Sequence, residues 1–207
     1  GIGHQALAAV TTADQNTAVG YRALQSITVG ASPHWGKITA VGYKAFNALT
    51  TAYESVAFGH EAGLVHQTGN AVCYIGYSAG KASNGLWGNT FVGAYAGGNA
   101  TAGNGMTFVG NAAGYNNTGG NNDAFGYHAL NANAGSLGNV AIGAYAMSDA
   151  VATGDNNIAI GYNAGKEVTS GQRNIMIGSE CGSQADASTG EDNVLVGYKT
   201  GNALGTG

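Results

Sequence analysis

Eleven carboxylates, five histidines, two cysteines and two tryptophans carry whatever chemistry this 207-residue chain has. Asp155 lies in "TGDNN", and Glu191 and Asp192 lie in the equivalent "TGEDN". Two carboxyl groups at a suitable separation hydrolyse a glycosidic bond, one as acid and the other as base or nucleophile. Both segments, however, are written in Gly, Asn and Thr, the chemistry of turns, where solvated carboxylates need no catalytic explanation. No enzyme is expected. His4, His34, His60, His66 and His128 show neither HxH nor HExxH spacing, so no metal is expected. The Gly-rich stretch "GGNATAGNG" has no Lys-Ser or Lys-Thr to make a phosphate cradle, so no cofactor is expected.

The aromatic residues are the stronger candidates. Trp35 follows the only proline and His34 in "ITVGASPHWGKI", and Trp87 lies in "NGLWGNT". Tyr95 and Tyr145 stand in "GAYAG" and "GAYAM", one place later than most tyrosines of the chain. An exposed ring of this kind is a flat apolar platform for a sugar or an anchor for a protein. His34, Trp35, Trp87, Tyr95 and Tyr145 are therefore the candidate receptor contacts. The competing reading folds each Trp back over the edge of its own segment.

What must position these residues is a repeat. Aligning on the glycine after each apolar triplet gives Gly3, Gly20, Gly42, Gly59, Gly76, Gly93, Gly110, Gly126, Gly143, Gly161, Gly178 and Gly197. Their spacing is 17 in most gaps and 22 in the one that holds Trp35. Residues 1–207 thus form a single repeat array of about twelve coils. With this glycine as position zero, −1 is always Ile, Val or Phe, and +1 is most often Tyr. Position +3 is Ala until Cys181 and Thr200, −4 is frequently Asn, and +2 varies freely.

The β-branched and aromatic residues at −3 to −1 predict a strand. About 17 residues leave room for two short strands and two turns per coil, and hardly for a helix. Parallel strands stacked coil on coil give an all-β solenoid, with the −4 asparagines bonded to one another as a ladder. Neither strand face is polar, so both are expected to be buried: the Thr-bearing −3 column facing inward, the Ala and aromatic column facing outward against another copy of the chain. Inward threonines and the lack of a Thr-x-Thr column argue against an ice-binding solenoid. Cys73 and Cys181 fall six coils apart, about 29 Å at strand spacing, so both are expected reduced and buried.

Charged residues make up 9% of the chain and the net charge is −4. Seven scattered basic residues cannot neutralise a phosphate backbone, so nucleic acid is excluded as a partner. No apolar run of 18 residues suggests membrane insertion. The first residues, "GIGHQAL", already lie inside the repeat, which reads as a piece of a longer fibrous protein.

The units "NTAVGYRAL", "NVAIGAYAM", "NIAIGYNAG" and "NVLVGYKTG" resemble the head repeats of YadA-like trimeric autotransporter adhesins. They are similar still more to the arrays in bacteriophage tail fibres. The resemblance runs through the whole chain and implies a parallel β-roll, left-handed in the adhesin heads, with three chains side by side. The period is longer than the roughly 14 residues of the adhesins, so longer inter-strand loops are expected. The implied function is a non-enzymatic homotrimeric segment of a virion tail fibre, a spacer that contacts host surface glycan or protein. The head of a bacterial cell-surface adhesin is the alternative, and a fibre-borne glycan hydrolase is a third reading from a different class.

Overall fold

A computed structural model describes residues 1–10, 15–28, 36–149, 153–183 and 189–201. Each apolar triplet from the second unit onward is a three-residue strand: β1 (Thr17–Val19), β2 (Thr39–Val41), β3 (Val56–Phe58), β4 (Cys73–Ile75), β5 (Thr90–Val92), β6 (Thr107–Val109), β7 (Asp123–Phe125), β8 (Val140–Ile142), β9 (Ile158–Ile160), β10 (Ile175–Ile177) and β11 (Val194–Val196). All eleven join one parallel sheet in chain order. The register is constant, so that Ala57 pairs with Tyr74 and Tyr74 with Phe91. In the first unit, Ile2 makes a single bridge to Val19. Among the described residues there is no helix, and the chain is one parallel β-solenoid.

The second strand expected in each coil is not formed; the described residues opposite the sheet contribute only isolated bridges, Gly36 with Tyr53 and Thr51 with Thr68. Backbone angles explain this. Position +2 has left-handed φ throughout (54° at Arg22, 53° at Lys44), and so has +4 (51° at Leu24, 46° at Phe46). Position −5 repeats the pattern, with φ 57° at Lys37 and 56° at Arg173. Extended structure cannot contain such residues. Their amides still bond between units: Lys44 N–H donates to the Tyr21 carbonyl at 2.9 Å, and Phe46 N–H to the Ala62 carbonyl at 2.9 Å. Successive amides thus point down and up the axis, and hydrogen bonds continue round the turn where no sheet exists.

Position zero closes the strand. Gly93 has φ +134°, and a Cβ there would stand 2.5 Å from the Gly110 carbonyl oxygen. Only a residue without a side chain fits both the angle and the approach of the next coil.

The two strand faces are the reverse of the expectation. The −2 column (Ala18, Ala40, Ala57, Tyr74, Phe91, Phe108, Ala124, Ala141, Ala159, Met176) is buried inside the solenoid, and the −3 and −1 columns face outward. The small alanines at −2 fill the interior only together with the side chains at +4. Where −2 is Ala, +4 is large in four units: Leu24, Phe46, Leu130 and Met147 all lie in the core. Where −2 is Tyr, Phe, Met or Leu, +4 is glycine, and a Cβ at Gly80, Gly97, Gly182 or Gly201 would run into Tyr74, Phe91, Met176 or Leu195 of the same unit. Gly63 and Gly165 instead receive Phe46 and Met176 from the adjoining units. Between them the −2 and +4 columns thus supply about one large side chain per layer, which keeps the packing dense.

The expected asparagine ladder is present at −4. Asn139, Asn157 and Asn174 are buried. The Asn157 side-chain oxygen accepts from the backbone N–H of Asn174 at 3.0 Å and from its amide at 3.2 Å, while Asn157 Nδ2 donates to the Gly171 carbonyl at 2.8 Å. The same pattern links Asn139 to Asn157 and Asn174 to Asn193. Each amide satisfies a backbone group of the next turn that no sheet partner would reach.

Candidate functional site

The outer face of the sheet is the largest feature. Its −1 rank exposes Phe58, Ile75, Phe125, Ile142, Ile177 and Val196, with Phe58 at 55%. Beside it the −3 rank runs through Thr39, Val56, Cys73, Thr90, Thr107 and Asp123 to Val140, Ile158 and Ile175, all half-buried. Eleven strands at about 4.8 Å make this a flat strip roughly 50 Å long. Thr17, Thr39, Thr90 and Thr107 therefore point outward, contrary to the sequence expectation, and each stands two residues before a valine. Cys73 is on this face too, half-buried rather than buried, with its thiol pushed up by burial; Cys181 is buried in the core. Both cysteines are free.

Along one edge of the strip the +1 side chains form a row of rings. His4, Tyr21, Tyr43, His60 and Tyr77 follow one another with centroids 4.7–5.4 Å apart and planes within 19°. The histidines take tyrosine's place here, as their position in the repeat predicts. Arg22 and Lys44 lie over the rings of Tyr21 and Tyr43 at 5.1 Å, each adding a cation–π contact.

Of the predicted receptor contacts, His34 and Trp35 lie outside the described residues. Trp87 is 60% exposed, and its backbone N–H donates to Asn104 Oδ1 at 2.9 Å. The ring therefore projects from a held backbone and does not fold over its coil. Tyr95 is exposed and Tyr145 half-buried. Both occupy +2 with φ 59°, and that angle swings their rings back into the aromatic row, edge-on to Tyr77 at 5.1 Å and to Tyr127 at 5.2 Å. The neighbouring Tyr77 hydroxyl holds the Tyr95 phenol above its usual range. Tyr95 and Tyr145 thus stand in the aromatic row three units apart.

The turn carboxylates considered for glycoside hydrolysis, Asp155, Glu191 and Asp192, are engaged. Arg173 reaches Asp192 at 2.6 Å and Glu191 at 2.7 Å, which lowers the Asp192 carboxyl and raises the guanidinium. Asp155 Oδ1 accepts from Leu137 N–H at 2.7 Å. Asp155 and its counterparts thus close turns or pair with a neighbouring unit. Among the described residues no three of His, Cys, Asp and Glu come together, and no helix is long and apolar enough to cross a membrane.

One residue escaped the sequence reading. His66 is wholly buried, with ring contacts to Phe46 and Tyr74 at 5.6 Å, and its Nδ1 lies 3.1 Å from the Ser83 carbonyl. Burial holds its imidazole below the ordinary range. The signal was there: His66 stands at +7, the place of Ile27, Leu49 and Val168, all buried.

Compared with protein-family models, with curated proteins and with solved structures, the chain matches none.

Proposed function

We propose that the chain is a non-enzymatic segment of a homotrimeric fibre of the bacteriophage tail-fibre kind, a left-handed roll of about twelve coils. In this reading it is a stiff spacer in the virion whose side residues meet host surface glycan or protein. The observation that carries the reading is the outward apolar strip of the sheet, with Phe58, Ile75, Phe125, Ile142 and Ile177 in one rank. Monomeric proteins rarely expose a continuous apolar patch of more than a few hundred Å². A second and third copy of the same strip cover it with the same chemistry. Closed point symmetry then keeps the assembly finite. Three copies of each side residue give avidity to contacts that are weak singly.

Charge supports a mechanical role. Lys37–Glu54, Lys81–Glu61, Lys166–Asp149 and Lys199–Glu180 each bridge adjoining units at 2.7–3.3 Å. Such pairs add little stability each when exposed, but all run along the axis and oppose slippage of one unit past the next. Light scattering on the purified chain tests the reading: a mass about three times 20.5 kDa is expected, and a stable soluble monomer overturns it.

A further inference from the structure

We propose that copies of the chain take up protons at Asp123 as they associate, so that assembly through the outer strip tightens in mild acid. The inference concerns the regulation of the proposed trimer and rests on that reading. Asp123 opens β7 at −3 and is half-buried on the outward face. It is the one carboxylate in the −3 and −1 ranks, which hold no Lys, Arg or His in any unit. Thr107 on β6 and Val140 on β8 flank it. Cys73, the other titratable side chain of those ranks, keeps its proton at neutral pH because burial pushes its thiol up.

Carboxylates in the turns have partners: Glu54, Glu61, Asp149 and Glu180 each reach a lysine of an adjoining unit. The Asp123 side chain has neither an ion pair nor a hydrogen bond among the described residues, so water alone solvates its charge in the single chain. A copy laid over the strip removes that water and brings the same two ranks, which carry no cation. An ionised carboxyl buried without a counter-charge is costly, and such a group holds its proton instead. A threefold axis along the solenoid also brings like units to one height, and three carboxylates in one layer repel one another. Tyr127 and His128 of the same unit lie at +1 and +2, where the His128 ring stacks on Tyr145 at 5.8 Å and its Nδ1 meets the Asn131 amide at 2.9 Å. An aspartic acid in water is ionised above about pH 4. Near neutral pH, assembly therefore meets the full cost, which falls as acid neutralises the group.

Sedimentation velocity on the whole chain tests this over a dilution series from pH 8 to pH 5, in urea that half-dissociates the parent trimer at pH 8. Circular dichroism confirms the fold at each pH. The parent association constant should rise by more than about a hundredfold over that range. Asp123→Asn, and Asp123→Val as a copy of Val140, should each associate more tightly than the parent at pH 8 and lose most of the rise. Glu167→Gln, which removes the same charge from a turn, and His128→Gln should both keep it. A trimer no tighter at pH 5, a full rise in Asp123→Asn, no gain at pH 8 in either Asp123 variant, or a rise lost in His128→Gln overturns the inference and leaves the fibre reading standing. A chain that is monomeric without urea at every pH overturns the fibre reading, and the inference with it.

Discussion

Phe91 and Gly97 share one place in the core: a Cβ on Gly97 would stand 2.5 Å from the ring carbons Cδ2 and Cε2 of Phe91. Elsewhere Ala124 and Leu130 fill the same two positions in the opposite sense, both fully buried. Large and small are exchanged across one layer, and the layer keeps its volume.

The exchange is open to a double-mutant cycle. Phe91→Ala leaves a cavity and should cost about 3–5 kcal/mol. Gly97→Leu alone overpacks the layer, at about 1–3 kcal/mol. Together they recreate the Ala124–Leu130 arrangement, at a φ that Leu130 itself adopts (51°). The double variant should therefore be more stable than the sum of the singles by about 2 kcal/mol or more in urea unfolding. Additive losses would show that the two sites do not share space.

Position zero tolerates nothing larger. Gly93→Ala meets both an unfavourable φ of +134° and the Gly110 carbonyl. A loss of roughly 3 kcal/mol or more is expected, read as a fall in the thermal midpoint. Gly135→Ala, where φ is +86° but nothing stands within 4 Å of the Cβ position, meets the backbone strain without the clash and should cost about 1–2 kcal/mol.

Removing one rung of the asparagine ladder leaves buried backbone groups of the next coil without partners. In Asn157→Ala the Asn174 N–H and the Gly171 carbonyl lose their bonds, at about 2–3 kcal/mol. Hydrogen exchange should rise first at Asn174, whose amide Asn157 holds, and unchanged protection there would refute the role.

Acid should weaken the fold through His66. Burial depresses its folded pKa, while the unfolded imidazole titrates near about 6.5. Below that value the unfolded chain binds more protons, so the stability contributed by neutral His66 is complete above it and lost as pH falls. His66→Leu, which copies Leu49 of the same column, should flatten the thermal midpoint between pH 8 and pH 5 relative to the parent. A constant gap between the two curves would place the acid sensitivity elsewhere.

Assembly should depend on the outer strip and the individual chain should not. Phe58→Asp puts a charge on an exposed residue of that face, and a 20.5 kDa species with unchanged β-type circular dichroism is expected. In the parent the Cys73 thiol should react with a maleimide far more slowly than in Phe58→Asp. Equal rates would mean that nothing covers the face.

The period, the strands and the −4 ladder could be read from the sequence because each is a single column with one chemistry. The direction of the faces could not. Both columns are apolar, and the deciding fact is a relation between two columns, −2 and +4, neither of which is constant alone. The left-handed +2 residues looked merely variable, because exposure at that position hides a backbone demand common to Arg22, Glu61 and Lys199. For the same reason Tyr95 and Tyr145 seemed to leave the aromatic row, when the turn returns their rings to it. For Trp87 the sequence left two readings open, and its exposure follows the projecting one.

Because among the described residues each layer bonds to the layers on either side of it, nothing in that pattern sets how many there must be. A whole unit, cut or copied between one position zero and the next, leaves the strand register and the backbone hydrogen-bond pattern of the remaining units in place. Such a gene can grow or shrink by duplication in steps of about 17 codons, altering reach by one strand spacing, about 4.8 Å, per step.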